Sequence, residues 1–570
     1  MRRLGALAAL LVVLTAPARA AAPPAVGAEH GMVACAQKLA CEVGVEVLKK
    51  GGNAVDAAVA VGYALAVTYP AAGNLGGGGF MTAVFADGRK TFIDFREKAP
   101  LKATRDMYLG PDGNVVEGLS TRSYLAVAVP GTVGGLEYAR EKYGTLPRAA
   151  LIDPAIGLAE NGFRLDAGDV FPLAVASELL RKYPTSAAIF LNDGKPYAIG
   201  DRLVQKDLAR TLRAIRDEGA AGFYQGEVGH AIVAAVEQGG GILAQDDLDR
   251  IKPRELKPIE CDYRGYTIVS APPPSSGGVT LCEMLNILEG YPLGKLGFGS
   301  AQALHDEIET MRHAYVDRNN LLGDPAFVAN PVAALISKAY AAKIRAAIDP
   351  DRATRSADLA PGKPPHEGVN TTHFSIVDQW GNAVGVTYTL NGWFGAGMVA
   401  GDTGVLLNNE MDDFTAKVGA PNQFGLVQGE QNAIQPGKTP LSSMTPTVVV
   451  KDGKPVMVVG TPGGSRIITV VMETILNVVD YGMSISQAVD APRIHNQWLP
   501  DMTFVEPFAL SPDTRQILEG MGHHFGPPQP ANHVDAILIG APKLGGKPVG
   551  DERFYGVNDN RRGGGAAVGY

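Results

Sequence analysis

The sequence predicts an α/β protein of layered sheets with helices outside, and three observations carry that reading. Val, Ile, Thr, Tyr and Phe recur at period two from 371 to 410 and again from 445 to 460, as strands require. Apolar residues at three- and four-residue spacing dominate 135–260 and 301–345, which marks helices. Strands, then helices, then strands again in one chain bury their apolar faces by stacking into layers. The 570 residues, 46% hydrophobic and 19% charged, supply a sizeable core, and the 70 glycines follow no G-X-Y period. A formal net charge of −8 without a basic stripe argues against a nucleic-acid partner.

At the start of the chain, Arg2 and Arg3 precede the apolar run Leu4 to Leu14, and Ala18-Arg19-Ala20 offers small residues at a cleavage site. This predicts a secretory signal peptide over 1–20. The run is shorter than the ~20 residues of a spanning helix, so a periplasmic or secreted product with no membrane span is expected. Losing three arginines and no acids would take its net charge from −8 to −11. Cys35, Cys41, Cys261 and Cys282 show no C-x-x-C spacing for zinc or thioredoxin chemistry, and no metal or cofactor is expected. An oxidising compartment permits disulfides, and Cys35 with Cys41, six apart ahead of a helix, is the expected pair if one forms.

From Gly51, GGNAVDAAVAVGYALAVTYP reads as a small-residue helix, with Asn53 as N-cap, Asp56 three residues on and Pro70 closing it. GNLGGGGF, Gly73 to Phe80, follows a helix and precedes a strand, the reverse of a phosphate-cradling turn, so it reads as a tight loop. Residues 81–95 alternate as strand, and Arg96 stands at its end. APPPSSGG, Ala271 to Gly278, cannot be regular structure because its prolines lack donors. The polar, aperiodic stretch 351–370 reads as an exposed linker.

After the linker, Gln379-Trp380-Gly381 fits a three-residue hairpin loop with glycine in the left-handed position. That register pairs Asp378 with Asn382 and Thr371 with Thr389, placing two threonine hydroxyls side by side on one face. By period two His373 shares that face, and a packing or hydrogen-bonding role is expected for it. His305 and His313 are spaced too widely for a strong ligand signal, and His523 and His524 read as surface residues. No G-x-S-x-G or H-E-x-x-H appears.

TTHFSIVD from Thr371, VTYTLN ending at Asn391, LLNNEMDDF (Leu406 to Phe414), PLSSMTP (Pro440 to Pro446) and GTPGGSRI (Gly460 to Ile467) stand in order. Together they resemble γ-glutamyltranspeptidase, a self-processing member of the N-terminal-nucleophile hydrolases, over roughly Gly31 to Tyr570. The resemblance implies a four-layer αββα sandwich formed jointly by two chains from one precursor. Cleavage between Asn370 and Thr371 would give a large subunit, 21–370, and a small catalytic subunit, 371–570, which pair with each other. Thr371 would be nucleophile and, through its freed α-amine, general base.

Thr389 would orient the nucleophile, and the N–H groups of Gly463 and Gly464 would form the oxyanion hole. Arg96, Ser442 and Ser443 would bind the substrate α-carboxylate, and Asn391, Glu410 and Asp413 its α-ammonium. The substrates implied are glutathione and other γ-glutamyl compounds, with water or an amino acid or dipeptide as acceptor. The glycine-bearing stretch Thr415 to Asn432 matches the family's lid. Phe424 stands where a tyrosine commonly bonds the asparagine matching Asn391, and it keeps the ring without the hydroxyl. Two alternatives remain open at this point: a glutaryl-cephalosporin acylase-type amidase, which needs no ammonium site, and a non-catalytic secreted γ-glutamyl-binding protein.

Overall fold

The computed structural model describes residues 22–359, 371–530 and 532–570, so the predicted signal peptide 1–20 and Asn370 lie outside the described residues. In chain order the strands are β1 Val26–Ala28, β2 Met32–Cys35, β3 Gly78–Val84, β4 Lys90–Asp94, β5 Phe163–Arg164, β6 Arg202–Leu203, β7 Arg254–Leu256, β8 Ile259–Tyr263 and β9 Tyr266–Ser270. They continue as β10 Thr372–Val377, β11 Ala383–Thr389, β12 Thr447–Lys451, β13 Lys454–Gly460, β14 Ile494–His495, β15 Phe504–Val505, β16 Asp535–Ile539, β17 Phe554–Asn558 and β18 Ala566–Gly569. Two seven-stranded antiparallel sheets result, ordered β18-β2-β10-β11-β3-β4-β7 and β1-β17-β16-β13-β12-β9-β8.

The sheets lie face to face over a narrow layer of side chains that includes Met32, Ala34, Val377, Ala383, Val448, Val458 and Ile537. The first sheet is covered outside by helices such as Lys38–Lys49 and Ala54–Thr68, whose alanines and valines pack on Phe374, Ile376, Val384 and Val386. The second is covered by Gly277–Leu288, Ala301–Leu321 and Arg466–Val479, packed on Val449, Met457 and Val459. This is the four-layer αββα arrangement. Because both faces of each sheet are covered, β3, β10 and β11 are buried at every position. Among the described residues no helix is long and apolar enough to cross a membrane.

Several local expectations hold. Asn53 caps Ala54–Thr68 in a capping box with Asp56, an arrangement in which the cap contributes ~1 kcal/mol. Cys35 and Cys41 are bridged, and a second disulfide that spacing did not single out joins Cys261 on β8 to Cys282 on the Gly277–Leu288 helix. Closing its 21-residue separation restricts the unfolded chain, worth ~3 kcal/mol for a loop of that order.

Other expectations are corrected. Strand stops at Thr389; Leu390 to Asn409 runs as irregular backbone with positive φ at Asn391, Phe394, Gly395, Gly397, Gly401 and Gly404. Its apolar residues pack into the helical layer, and its one antiparallel bridge, Val399 with Leu406, stays isolated and builds no strand. Gly277 and Gly278 open a helix. In the stretch read as linker, Ser356–Leu359 is a short helix whose Ser356 is buried, donating to Trp498 O at 2.6 Å. His523 is also buried, its Nε2 2.8 Å from His305 Nδ1, whereas His524 is exposed.

Candidate active site

The hairpin β10–β11 builds the centre of the site. Thr372 pairs with Tyr388 and Val377 with Ala383, which is the predicted register. Gly381 takes φ +92°, and Asp378 fastens the turn by accepting from Trp380 N at 3.0 Å and Asn382 N at 2.9 Å. Its other oxygen accepts from Ala54 N at 2.9 Å, tying the turn to the start of the Ala54–Thr68 helix. Even-numbered residues of β10 and β11 face that helical layer, so the odd-numbered ones, Thr371 and Thr389 at the open end included, face the layer between the sheets.

There the Thr371 hydroxyl donates to Thr389 Oγ1 at 3.4 Å, and Thr389 Oγ1 also accepts from Asn391 N at 2.8 Å. The first distance is long for a hydroxyl pair, so the contact orients Thr371 more than it holds it. His373, on the same face, is bonded to Thr387 Oγ1 at 2.8 Å and Ser375 Oγ at 3.0 Å, and Gly460 leaves the room its ring fills. Burial lowers its pKa to about 3, so it is neutral and structural.

Next to the threonines lies a buried charge cluster. Arg96 pairs through Nη1 with Glu410 and through Nη2 with Asp413 at 2.5 Å, and Glu97 stands 3.9 Å from Nη1. The fork expected to meet a carboxylate thus also clamps the two acids expected to meet an ammonium. Burial opposes the charge on Arg96, but Glu410, Asp413 and Glu97 outweigh it and raise its pKa. Burial raises Glu97 to about 7 and lifts Glu410 well above the carboxylate range, with Arg96 pulling both back. Asp413 is raised by burial too, against the same arginine. Its neighbour Asp412 is also buried, accepting from Ser120 Oγ at 2.6 Å and from Gln423 N at 2.9 Å.

Asn391 is held in the left-handed region at φ +72°, its side chain donating to Asn409 O at 3.0 Å. Ser442 Oγ accepts from Met444 N at 3.0 Å, and Ser443 Oγ accepts from Arg318 Nη2 at 2.9 Å. Gly463 and Gly464, at φ +126° and +58°, lead into the Arg466–Val479 helix. Helix N-termini carry N–H groups without intrahelical acceptors and favour negative charge. A Cβ on Gly463 would strike the Asn532 side chain, and one on Gly464 would lie 2.4 Å from the Phe424 ring, so both positions require glycine.

Thr371, Thr389, Asn391, Arg96, Glu410, Asp413, Ser442, Ser443, Gly464 and Phe424 line one cavity of about 20 Å³. That is room for about one water, so a larger guest requires the cover to move. The cover is the predicted lid segment, with Phe424 and Leu426 on the cavity wall. It is pinned by Asn422 Nδ2 to Asp413 at 3.2 Å, by Gln428 Nε2 to Asp413 O at 3.1 Å and by Gln497 Nε2 to Gly425 O at 3.2 Å. Of the predicted site residues with a described position, only Gly463 is not on the cavity wall.

Arg318 is on the wall and was not anticipated. It sits near the end of the Ala301–Leu321 helix in the polar run Asp317 to Asn320. The only sequence signal was that this helix, unlike a surface helix, carries charged residues on every face.

Residues 40–569 match the family model described as gamma-glutamyltranspeptidase. The chain is 66% identical to the glutathione hydrolase proenzyme of Pseudomonas sp. (strain A14), covering 97% of this chain and 96% of that protein. It is 48% identical to the glutathione hydrolase proenzyme of Escherichia coli (strain K12), covering 95% and 94%. Among solved structures it resembles the cephalosporin acylase from Bacillus halodurans at TM-score 0.82 and 26% identity, covering 98% of each chain.

Proposed function

The chain belongs to the γ-glutamyltranspeptidase family, and from that premise we propose how its own residues carry out the family's reaction. It is a glutathione hydrolase and γ-glutamyltransferase made as a self-processing precursor. In the proposed sequence, Thr371 Oγ1 attacks the carbonyl of Asn370, the peptide nitrogen leaves as the new α-amine of Thr371, and water opens the resulting ester. This yields a large subunit, 21–370, and a small one, 371–570, after removal of the signal peptide 1–20 in a periplasmic or secreted protein.

The freed amine, with an unperturbed pKa of ~7.7–8.0, then takes the proton of the Thr371 hydroxyl as that oxygen adds to the γ-carbonyl of glutathione. The developing oxyanion is met by the N–H groups of Gly463 and Gly464, where one such donor is worth ~3–4 kcal/mol. The proton passes to the leaving cysteinylglycine nitrogen, leaving a γ-glutamyl ester on Thr371. Water or an amino-acid or dipeptide amine, deprotonated by the same α-amine, releases the glutamyl group. Glu410, Asp413 and Asn391 face the substrate ammonium, and Arg96, Ser442 and Ser443 face its carboxylate.

The observation that carries this reading is the convergence of a threonine pair, an acid pair and a serine pair on one buried cavity. The acids also weigh against the glutaryl-acylase reading, since a glutaryl group has no ammonium to meet them. The test is a denaturing gel with N-terminal sequencing, plus cleavage of γ-glutamyl-4-nitroanilide with and without glycylglycine. Two chains are expected, the smaller beginning TTHFSIVD, and Thr371→Ala should stay one inactive chain. An active uncut chain would overturn the proposal, and a processed chain that binds but does not cleave the anilide would favour a non-catalytic γ-glutamyl-binding protein.

A further inference from the structure

Arg318 is a buried cation that the proposed reaction does not use. Its side chain is 1% exposed, and its guanidinium makes four hydrogen bonds: Nε to Ser276 Oγ at 3.1 Å, Nη1 to Asn319 Oδ1 at 2.8 Å and to Gln428 Oε1 at 3.0 Å, and Nη2 to Ser443 Oγ at 2.9 Å. Among the described residues all four partners are neutral. A guanidinium has five N–H donors, and the fifth here is on Nη2, the nitrogen that holds Ser443. Arg96, the other cavity-wall arginine, has both arms on Glu410 and Asp413.

A buried charge is strongly destabilising unless something compensates it. Burial lowers the Arg318 pKa to about 10, with Tyr315 and Asp413 opposing the shift and Arg96 adding to it, so the side chain stays cationic at neutral pH, compensated only in part by Asp413. Because Ser443 Oγ accepts from Nη2, its own hydrogen is left to donate elsewhere, and Ser443 lines the cavity beside Arg318. A hydroxyl backed by a guanidinium is a stronger donor than one backed by solvent, since hydrogen bonds in a chain polarise one another.

We infer that Arg318 is a positioning residue for the substrate α-carboxylate: it fixes the Ser443 hydroxyl as a donor towards that carboxylate and sets a positive charge behind it. The inference rests on the reading of the cavity as a γ-glutamyl site. It divides the work between the arginines, Arg96 bridging the carboxylate to the acid pair and Arg318 supplying charge through Ser443. A substrate lacking the α-carboxylate should then be indifferent to Arg318.

The experiment compares kcat/KM for three 4-nitroanilides, γ-glutamyl, glutaryl (no ammonium) and 4-aminobutyryl (no α-carboxylate), in wild type, Arg318→Met and Arg318→Lys. Hydrogen bonds to charged groups imply a loss of about 10- to 100-fold for Arg318→Met on the γ-glutamyl and glutaryl substrates. For γ-glutamyl anilide the loss should fall on KM, with kcat changed less than about threefold, and the 4-aminobutyryl substrate should be unaffected. Arg318→Lys should recover part of the loss, since it keeps the charge but not the fork. If Arg318→Met accumulates uncut, the same comparison is read from Arg318→Lys, with about a three- to tenfold loss confined to the carboxylate-bearing pair. Equal losses on all three substrates would overturn the inference and make Arg318 a packing residue. Failure of the wild type to cleave γ-glutamyl anilide would instead overturn the proposed function.

Discussion

Replacing Gly464 by alanine separates the two demands made on the proposed oxyanion hole. The first is conformational: at φ +58° an alanine occupies the left-handed region, at a cost of ~1–2 kcal/mol. The second is steric, because the new Cβ would lie 2.4 Å from Phe424 Cδ1, 2.9 Å from Cγ and 3.0 Å from Cε1. Overpacking of that kind costs ~1–3 kcal/mol, and the ring cannot simply swing away while Gln497 holds the backbone carbonyl of Gly425 and Asn422 holds the Phe424 N–H. The strain is therefore shared with the Gly464 peptide. Displacing its N–H would remove one of the two proposed oxyanion donors, which predicts acylation slower by ~10²–10³. The assay is single-turnover release of 4-nitroaniline from saturating γ-glutamyl anilide, normalised to the processed fraction on a gel. Adding Phe424→Ala to Gly464→Ala removes the collision but not the backbone cost, and should restore about tenfold relative to the single variant. A Gly464→Ala enzyme within threefold of wild type, or a double variant no faster than the single, would refute this account of the glycine.

Arg96→Lys should raise KM for γ-glutamyl anilide by about 10- to 100-fold, because one ammonium cannot hold Glu410 and Asp413 on separate nitrogens as the fork does; an unchanged KM would remove Arg96 from the pocket. Glu97→Gln tests the buried carboxyl that burial raises from 4.5 to about 7 against the pull of Arg96. Its folded pKa lies above its unfolded one, so its contribution to stability is complete below pH ~4.5 and lost as pH rises through ~7. Between pH 5 and 8, in an uncut Thr371→Ala background where unfolding involves one chain, the protein with Glu97 should thus lose stability that the glutamine variant keeps, and denaturant midpoints that shift in parallel for the two proteins would contradict it.

The hairpin was legible because its signal is local. Gln379-Trp380-Gly381 sets a loop length, loop length sets register, and register places Thr371 beside Thr389 without any long-range knowledge. The Asn53 cap and the Cys35–Cys41 bridge were legible for the same reason. Irregular backbone from Leu390 to Asn409 was not, since period-two composition reports burial and β-branched content but not whether a partner strand exists. Arg318 and the Cys261–Cys282 bridge escaped because each depends on which helix the chain brings back to which sheet. His523 shows the limit from the other side: a polar letter reads as surface until the fold covers it. The lining residues of the cavity come from 96, 318, 371–391, 410–444 and 464–467, and only the resemblance had linked stretches so far apart in sequence.

The order of strands has a consequence for the proposed cleavage at residue 370. In one sheet β10 and β11 are flanked by β2 and β3, and in the other β12 and β13 are flanked by β9 and β16, so both sheets interleave segments from either side of residue 370. While the chain is continuous, each pairing is an intramolecular event. Were the backbone severed there, as proposed, neither fragment would hold an intact sheet, and reassembly from separated pieces would be a second-order encounter between two surfaces with several open edges. Such a molecule would be assembled once. Its lifetime would be governed by how slowly it comes apart, with no spontaneous route back, and heating past the transition should leave it inactive on cooling at any practical dilution.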